Sequence, residues 1–223
     1  MPSNASVADN ANNIALLKRL FAQKGKVNNM ANTTTVVLCG VGGQGTILAA
    51  DLLARCALAS GYDVKVSEIH GMSQRGGAVN TVVRFGTEPV KSMVADSGCA
   101  DCVVSFEMTE ALRNVSFLKE GGYLLVADES IKPLPVLTGK ASMPKNLEQK
   151  MDEVGAVVIP AVSIAEEVAT FKSVNVVLLG ALATRLNFDA KVWEEVISKR
   201  VPPKTIDANL RAFHAGFKFA KEA

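Results

Sequence analysis

The sequence predicts a three-layer α/β fold, a mostly parallel sheet with helices on both faces, and three observations carry that prediction. Short Val-rich runs of strand length alternate with helical stretches along most of the chain. A glycine-rich turn joins the first such run directly to the first helix. Aromatic content is only 5% while Val, Ala, Leu and Gly are plentiful, which favours helices layered on a sheet over a β-sandwich. The 223 residues supply enough volume for one core of generous size.

The elements follow in order. Residues 1–34 stand apart. Ile14, Leu16, Leu17, Leu20 and Phe21 could line one side of a short helix, which Gly25 and the Asn-rich flanks would stop. The first 29 positions carry Lys18, Arg19, Lys24 and Lys26 against Asp9 alone, so the rest of the chain is slightly acidic although the whole is +2. The expectation is a flexible or dispensable extension over 1–34 and a single domain over 35–223.

Residues 35–40 are an apolar, β-rich run ending in glycines, followed by a helical stretch over 46–59 that Gly61 closes. Strands are expected at 63–69, nearly alternating, and at 78–85, with 86–89 as a turn. Residues 102–106 read as a buried strand and 109–118 as a helix stopped by Gly121 and Gly122. Strands at 123–127 and 156–159 complete the set. Between them, 131–151 carries Pro133, Pro135, Gly139 and Pro144 and reads as a long excursion. The last third is helical, at 164–171, 174–186, 190–199 and 205–220. In the last of these, Ile206, Leu210, Phe213 and Phe217 recur at spacings of four, three and four, which gives one apolar face. Trp193 is expected to pack its helix onto a neighbour, and His214 lies one step off the apolar face, at the surface or its edge.

Composition excludes several function classes. No apolar run approaches the roughly 18 residues of a membrane span. A charge of +2 without a basic, aromatic-interleaved stripe excludes a simple nucleic-acid binder. Four cysteines in a chain this long do not form a disulfide framework. The polar first 13 residues are unlike a secretory leader, so the expected location is cytoplasmic. Cys99 and Cys102 have redox-motif spacing, but Cys102 opens a buried strand, and they read as structural thiols together with Cys39 and Cys56.

Two constellations carry chemistry. Gly40-Val-Gly42-Gly43-Gln44-Gly45 matches G-x-G-x-x-G directly after a strand and at the start of a helix, where glycines allow a tight turn and the helix offers free N–H groups to an anion. Glu68, 23 residues after Gly45, stands where a dinucleotide fold places its ribose acid. A self-contained NAD(P)-dependent dehydrogenase using Gly40, Gly42, Gly45 and Glu68 is therefore one reading, and a non-catalytic nucleotide-binding module is another. The second constellation is His70-Gly71-Met72-Ser73-Gln74-Arg75-Gly76-Gly77, expected on the same rim of the sheet. A dinucleotide fold has no need of an imidazole, an amide and a guanidinium there.

Taken in order, Gly42-Gly43-Gln44-Gly45 and His70 to Gly77 resemble the gamma-type domain of the 2-oxoacid:ferredoxin oxidoreductases, most of all its indolepyruvate-type beta subunits. The likeness extends through Asp101, Glu107, Asn175-Val-Val-Leu-Leu-Gly180-Ala, Pro203-Lys204, Asn209, Ala212-Phe213 and Gly216, over roughly 36–217. The resemblance implies a Rossmann-like domain of the type called domain III in pyruvate:ferredoxin oxidoreductase. It implies a hetero-oligomeric enzyme subunit that is inactive alone and binds no cofactor by itself. A large alpha subunit would hold thiamine diphosphate and iron–sulfur clusters, coenzyme A would be co-substrate, and ferredoxin would meet the complex. The reaction is oxidative decarboxylation of a 2-oxoacid, here an aryl pyruvate, to acyl-CoA and CO2.

Within that frame Arg75 and His70 are the expected catalytic residues, Arg75 as a planar fork for a carboxylate or phosphate and His70 as a donor or proton shuttle. Gly40, Gly42, Gly43, Gln44, Gly45, Met72, Ser73, Gln74, Gly76 and Gly77 form the expected rim toward substrate, coenzyme A or the partner's cofactor. No metal ligand is expected.

Overall fold

The computed structural model describes residues 33–70 and 77–222. The expected extension and the segment from Gly71 to Gly76 lie outside the described residues, as does the side chain of His70. Six strands build the sheet: β1 (Thr33–Val41), β2 (Asp63–His70), β3 (Ala78–Gly86), β4 (Ala100–Ser105), β5 (Leu118–Ala127) and β6 (Val157–Ile159). The helices are α1 (Thr46–Ala59), α2 (Met108–Asn114), α3 (Leu134–Leu137), α4 (Leu147–Glu153), α5 (Ala161–Val168), α6 (Val174–Ala183), α7 (Ala190–Arg200) and α8 (Ile206–Glu222).

Strand order is β2-β3-β1-β4-β5-β6. The pairs β1–β4, β4–β5 and β5–β6 are parallel, whereas β3 runs antiparallel to both β1 and β2. The sheet is thus mixed and mostly parallel. The short connection over 71–77 makes β2 and β3 a hairpin, because a parallel crossover would need a dozen or more residues. β2, eight residues long, forms one edge of the sheet among the described residues.

Alternating side chains send the two faces of each strand into separate cores. Val36, Leu38, Val83, Phe85, Val104 and Leu125 pack under α1, α5, α6, α7 and α8. Val37, Cys39, Val103, Leu124 and Val126 pack on the opposite face, under Met108, Ala111 and Leu112 of α2 and Met151 of α4. Helices therefore cover both faces, as the alternation of elements predicts. Trp193 is buried between Phe188 and Phe213, at ring separations of 5.8 and 5.5 Å, and joins α7 to α8 as expected. His214 is half-exposed beside Glu194.

Four boundaries depart from the sequence expectation. Gly121 and Gly122 do not stop the helix but lie inside β5, where the register against β4 shifts between Ala100 and Cys102 and Gly121 takes φ +70°. The α2 helix ends at Asn114 because the chain turns through Val115–Phe117 straight into β5. α5 begins at Ala161, three residues early, since Pro160 fits its N-cap. α6 ends at Ala183 rather than 186.

Helix α6 is apolar all round apart from Asn175, and every residue after Val174 is buried. Its contact with α8 is unusually close. A Cβ on Gly180 would overlap the Phe213 carbonyl oxygen, and one on Gly216 would overlap the Val177 carbonyl oxygen. The two glycines thus let the helix backbones touch reciprocally. A methyl at either position forces the helices apart across the larger core. Gly180→Ala is expected to cost about 3 kcal/mol, read as a midpoint lowered by roughly 6–12 °C in thermal unfolding.

Candidate functional site

The site is built at the edge of the sheet where β1, β4 and β5 end. β1 runs into the glycine loop, whose conformation is fixed largely by one side chain. The Gln44 carboxamide oxygen accepts from the Val41 N–H at 2.7 Å, and its Nε2 donates to the Phe106 carbonyl at 2.9 Å. The loop is thereby tied across to the end of β4. A Cβ on Gly40 would lie 2.7 Å from that oxygen and 2.9 Å from the Phe106 Cβ, so glycine at 40 makes room for the Gln44 amide. The interior of the turn is filled by the protein itself. Sequence reading puts Gln44 on the rim toward a ligand; the structure uses both ends of its amide as an internal strut.

Gly43 takes φ +102° and points to open space, whereas Gly45 combines φ +82° with contact, since a Cβ there would meet Asn175 Nδ2 at 2.8 Å. Gly45 is the N-cap of α1. Among the described residues no side chain caps this helix, and no acid stands in its first turn, so the helix itself leaves its positive end unopposed. The Ala49 N–H donates to the Gly45 carbonyl at 3.0 Å, and Asn175 Nδ2 donates to the same oxygen at 3.4 Å.

Of the second sequence constellation only the two ends are described. The Gly42 N–H donates to the Gly77 carbonyl at 2.9 Å, and His70 stands in register with Val79 at the end of β2. Both ends of the 71–76 segment are thus anchored at the glycine rim. Met72, Ser73, Gln74, Arg75 and Gly76 themselves fall outside the described residues, as does the His70 side chain.

Beneath this rim lies a buried polar layer that sequence reading largely missed. Glu107, 1% exposed, caps α2 by accepting from the backbone N–H groups of Thr109 and Glu110, and the Ser105 hydroxyl donates to its carbonyl. Glu110, 3% exposed, pairs with Arg113 at 2.5 Å. Burial pushes the Glu110 carboxyl up from its ordinary value, opposed by Arg113 and reinforced by Glu107. Asn114 donates to the Glu110 carbonyl and accepts from Asn80 of β3 at 2.7 Å. The signal available in the sequence was the spacing of Glu107 and Glu110 at a helix start, which fits capping as well as chemistry. Asp101 lies at the other end of the strands, where it accepts from the Thr35 N–H and pairs with Lys119.

The geometry does not favour a dinucleotide site. β3 stands between β1 and β2, so Glu68 is carried two strand spacings from β1, about 10 Å, and not on the adjacent strand as that fold requires. Gly45 and Glu68 do line one cleft of about 650 Å3, together with Ile47, Val66 and Arg200. Metal or cluster ligation finds no support among the described residues, where no group of three or more His, Cys, Asp or Glu converges. The thiols of Cys39, Cys56 and Cys102 are pushed up to about 12 by burial, which opposes the thiolate form that ligation needs. No step is therefore derived through a metal or cluster on this chain. Among the described residues no helix is long and apolar enough to cross a membrane.

Comparison with known proteins agrees with this architecture. The family described as pyruvate ferredoxin/flavodoxin oxidoreductase matches residues 35–219. The chain is 44% identical over 194 residues to the indolepyruvate oxidoreductase subunit IorB of Thermococcus kodakarensis, covering 84% of this chain and 96% of that protein. Among solved structures it is similar to the gamma subunit of a keto/oxoacid ferredoxin oxidoreductase from Geobacter sulfurreducens, with a TM-score of 0.64, 25% identity and coverage of 85% and 99%. It is also similar to the pyruvate oxidoreductase subunit PORC of Thermotoga maritima, with a TM-score of 0.61, 26% identity and coverage of 84% and 96%.

The raised carboxyl of Glu110 has a measurable consequence. A carboxyl that binds its proton more tightly in the fold favours folding below the ordinary glutamate range, and that contribution is lost as pH rises through the raised value. Glu110→Gln is accordingly expected to gain stability relative to the parent as pH rises from about 4 to 7. Thermal midpoints across that range check it, and a variant that loses ground with rising pH would show that the Arg113 pair outweighs burial.

Proposed function

The chain belongs to the pyruvate ferredoxin/flavodoxin oxidoreductase family, and from that membership we propose that it is the small subunit of a thiamine-diphosphate-dependent 2-oxoacid:ferredoxin oxidoreductase acting on an aryl pyruvate, indolepyruvate first. The complex decarboxylates the 2-oxoacid oxidatively, hands the acyl group to coenzyme A and passes the electrons to ferredoxin. One observation carries the reading. The rim joins the N-terminus of α1, without a side-chain cap among the described residues, to both ends of the His70–Gly77 segment, with exposed apolar residues close by.

In this reading the large subunit holds thiamine diphosphate and the iron–sulfur clusters. This chain supplies the wall that receives anionic groups. The first N–H groups of α1 take a phosphate of coenzyme A or the substrate carboxylate, which the helix end favours electrostatically. Arg75 clamps such a group bidentately, and His70 donates to the substrate carbonyl or moves its proton. Gly43, exposed at the crest of the loop, and Gly42, Gly76 and Gly77 let a partner surface approach closely. Ile47 and Ile69, 48% and 64% exposed, flank this rim and are covered in the complex. The extension before Met30 is dispensable for the fold, and the complex works in the cytoplasm.

The test is reconstitution. Purified alone, the chain is expected to turn over no 2-oxoacid. Co-purified with a thiamine-binding large subunit, it is expected to support coenzyme A-dependent oxidation of indolepyruvate with ferredoxin or a viologen as acceptor. Arg75→Ala should lower turnover of the complex about tenfold, the scale of a lost charged hydrogen bond. NAD binding by the isolated chain, with no turnover gained on mixing, would overturn the proposal.

A further inference from the structure

Asn175 is the one polar side chain in a helix otherwise built from Val, Leu, Ala and Gly. It is 4% exposed, and its Oδ1 is buried without a hydrogen-bond partner among the described residues. Capping does not explain it, because Ser173 is the N-cap of α6 and no side-chain cap bond is made there. Its amide instead meets the N-cap of a different helix, 130 residues earlier in the chain, where Nδ2 donates to the Gly45 carbonyl at 3.4 Å.

The contact bears on the proposed site through peptide geometry. A trans peptide is planar, so its C=O and N–H point in opposite directions. The Gly45 carbonyl, held by the Ala49 N–H and by Asn175, points down the axis of α1. The N–H of Thr46 on the same peptide must then point out of the helix end, toward the rim. Gly45, at φ +82° and without a side chain, has little of its own to hold that plane. From this geometry we infer that Asn175 is a positioning residue for the anion-receiving rim: it fixes the peptide plane at Gly45 and so aims the first free N–H groups of α1. The inference rests on the function proposed above for its effect on turnover, but not for its effect on the loop.

An amide kept here for packing alone would be replaced without loss by an apolar side chain of similar volume, since its oxygen is unpaired. That gives the test two readouts. In the full-length subunit, Asn175→Leu is expected to leave the thermal midpoint at or above that of the parent, while exchange of the Ala49 amide, whose bond to the Gly45 carbonyl depends on that peptide plane, quickens about tenfold. In the complex with the large subunit, KM for coenzyme A is expected to rise about tenfold with kcat within about a factor of two. Asn175→Ser, which is smaller and less disruptive, should shift both readouts in the same direction. Unchanged exchange in either folded variant overturns the inference, and so does unchanged KM in an active complex. Failure of both variants to fold overturns it as well, by making Asn175 a determinant of the fold. A parent complex inactive on 2-oxoacids sinks the functional reading instead, and the exchange measurement then decides the positioning role alone.

Discussion

Backbone contact between α6 and α8 is the constraint on which the rest of the molecule leans. Gly180 and Gly216 leave out the two Cβ atoms that would collide with the facing helix backbone, and the pair closes into the larger core against α1 and the sheet. This sets the height of α6 over β5, and therefore where Asn175 meets the glycine turn. The site is positioned from below, by a helix whose N-terminal end alone reaches it. A shift of one methyl group's width at Gly180 would be carried along a rigid helix to Gly45, because close-packed interiors transmit displacement rather than absorb it.

The second organising feature is the antiparallel insertion of β3. Its pairing with β1 brings Ala78 opposite Val41, and its pairing with β2 brings Val79 opposite His70. A single hairpin thus delivers both ends of the His70–Gly77 segment to the glycine loop, and the Gly42–Gly77 hydrogen bond closes the junction. The same insertion displaces Glu68 from the position a ribose acid would occupy. The mixed sheet in this way both assembles the rim and separates it from the dinucleotide site that the glycine motif resembles.

Most of the architecture was legible in the sequence. The span of α1 from Thr46 to Ala59 and the spacing of Ile206, Leu210, Phe213 and Phe217 along α8 follow from periodicity and from glycine punctuation, which are local signals. The antiparallel direction of β3 was less plain: its seven-residue connection is too short for a parallel crossover, but the glycines in it read as a ligand rim before they read as a turn. Gly121 and Gly122 misled for a related reason: glycines that stop a helix and glycines that bulge a strand look alike. At the site, the G-x-G-x-x-G motif placed the loop correctly but not the use of Gln44, whose amide spends its hydrogen bonds on Val41 and Phe106. Nor could the sequence reveal Asn175 against Gly45, a contact between residues 130 apart that needs the whole fold to exist.

The edge position of β2 has a consequence for the subunit outside its complex. The outer side of β2, which pairs with no strand among the described residues, stands beside Val66 and Ile69, 41% and 64% exposed, and offers a template for strand addition by another chain in an extended state. A subunit made in excess of its partner would carry that template uncovered.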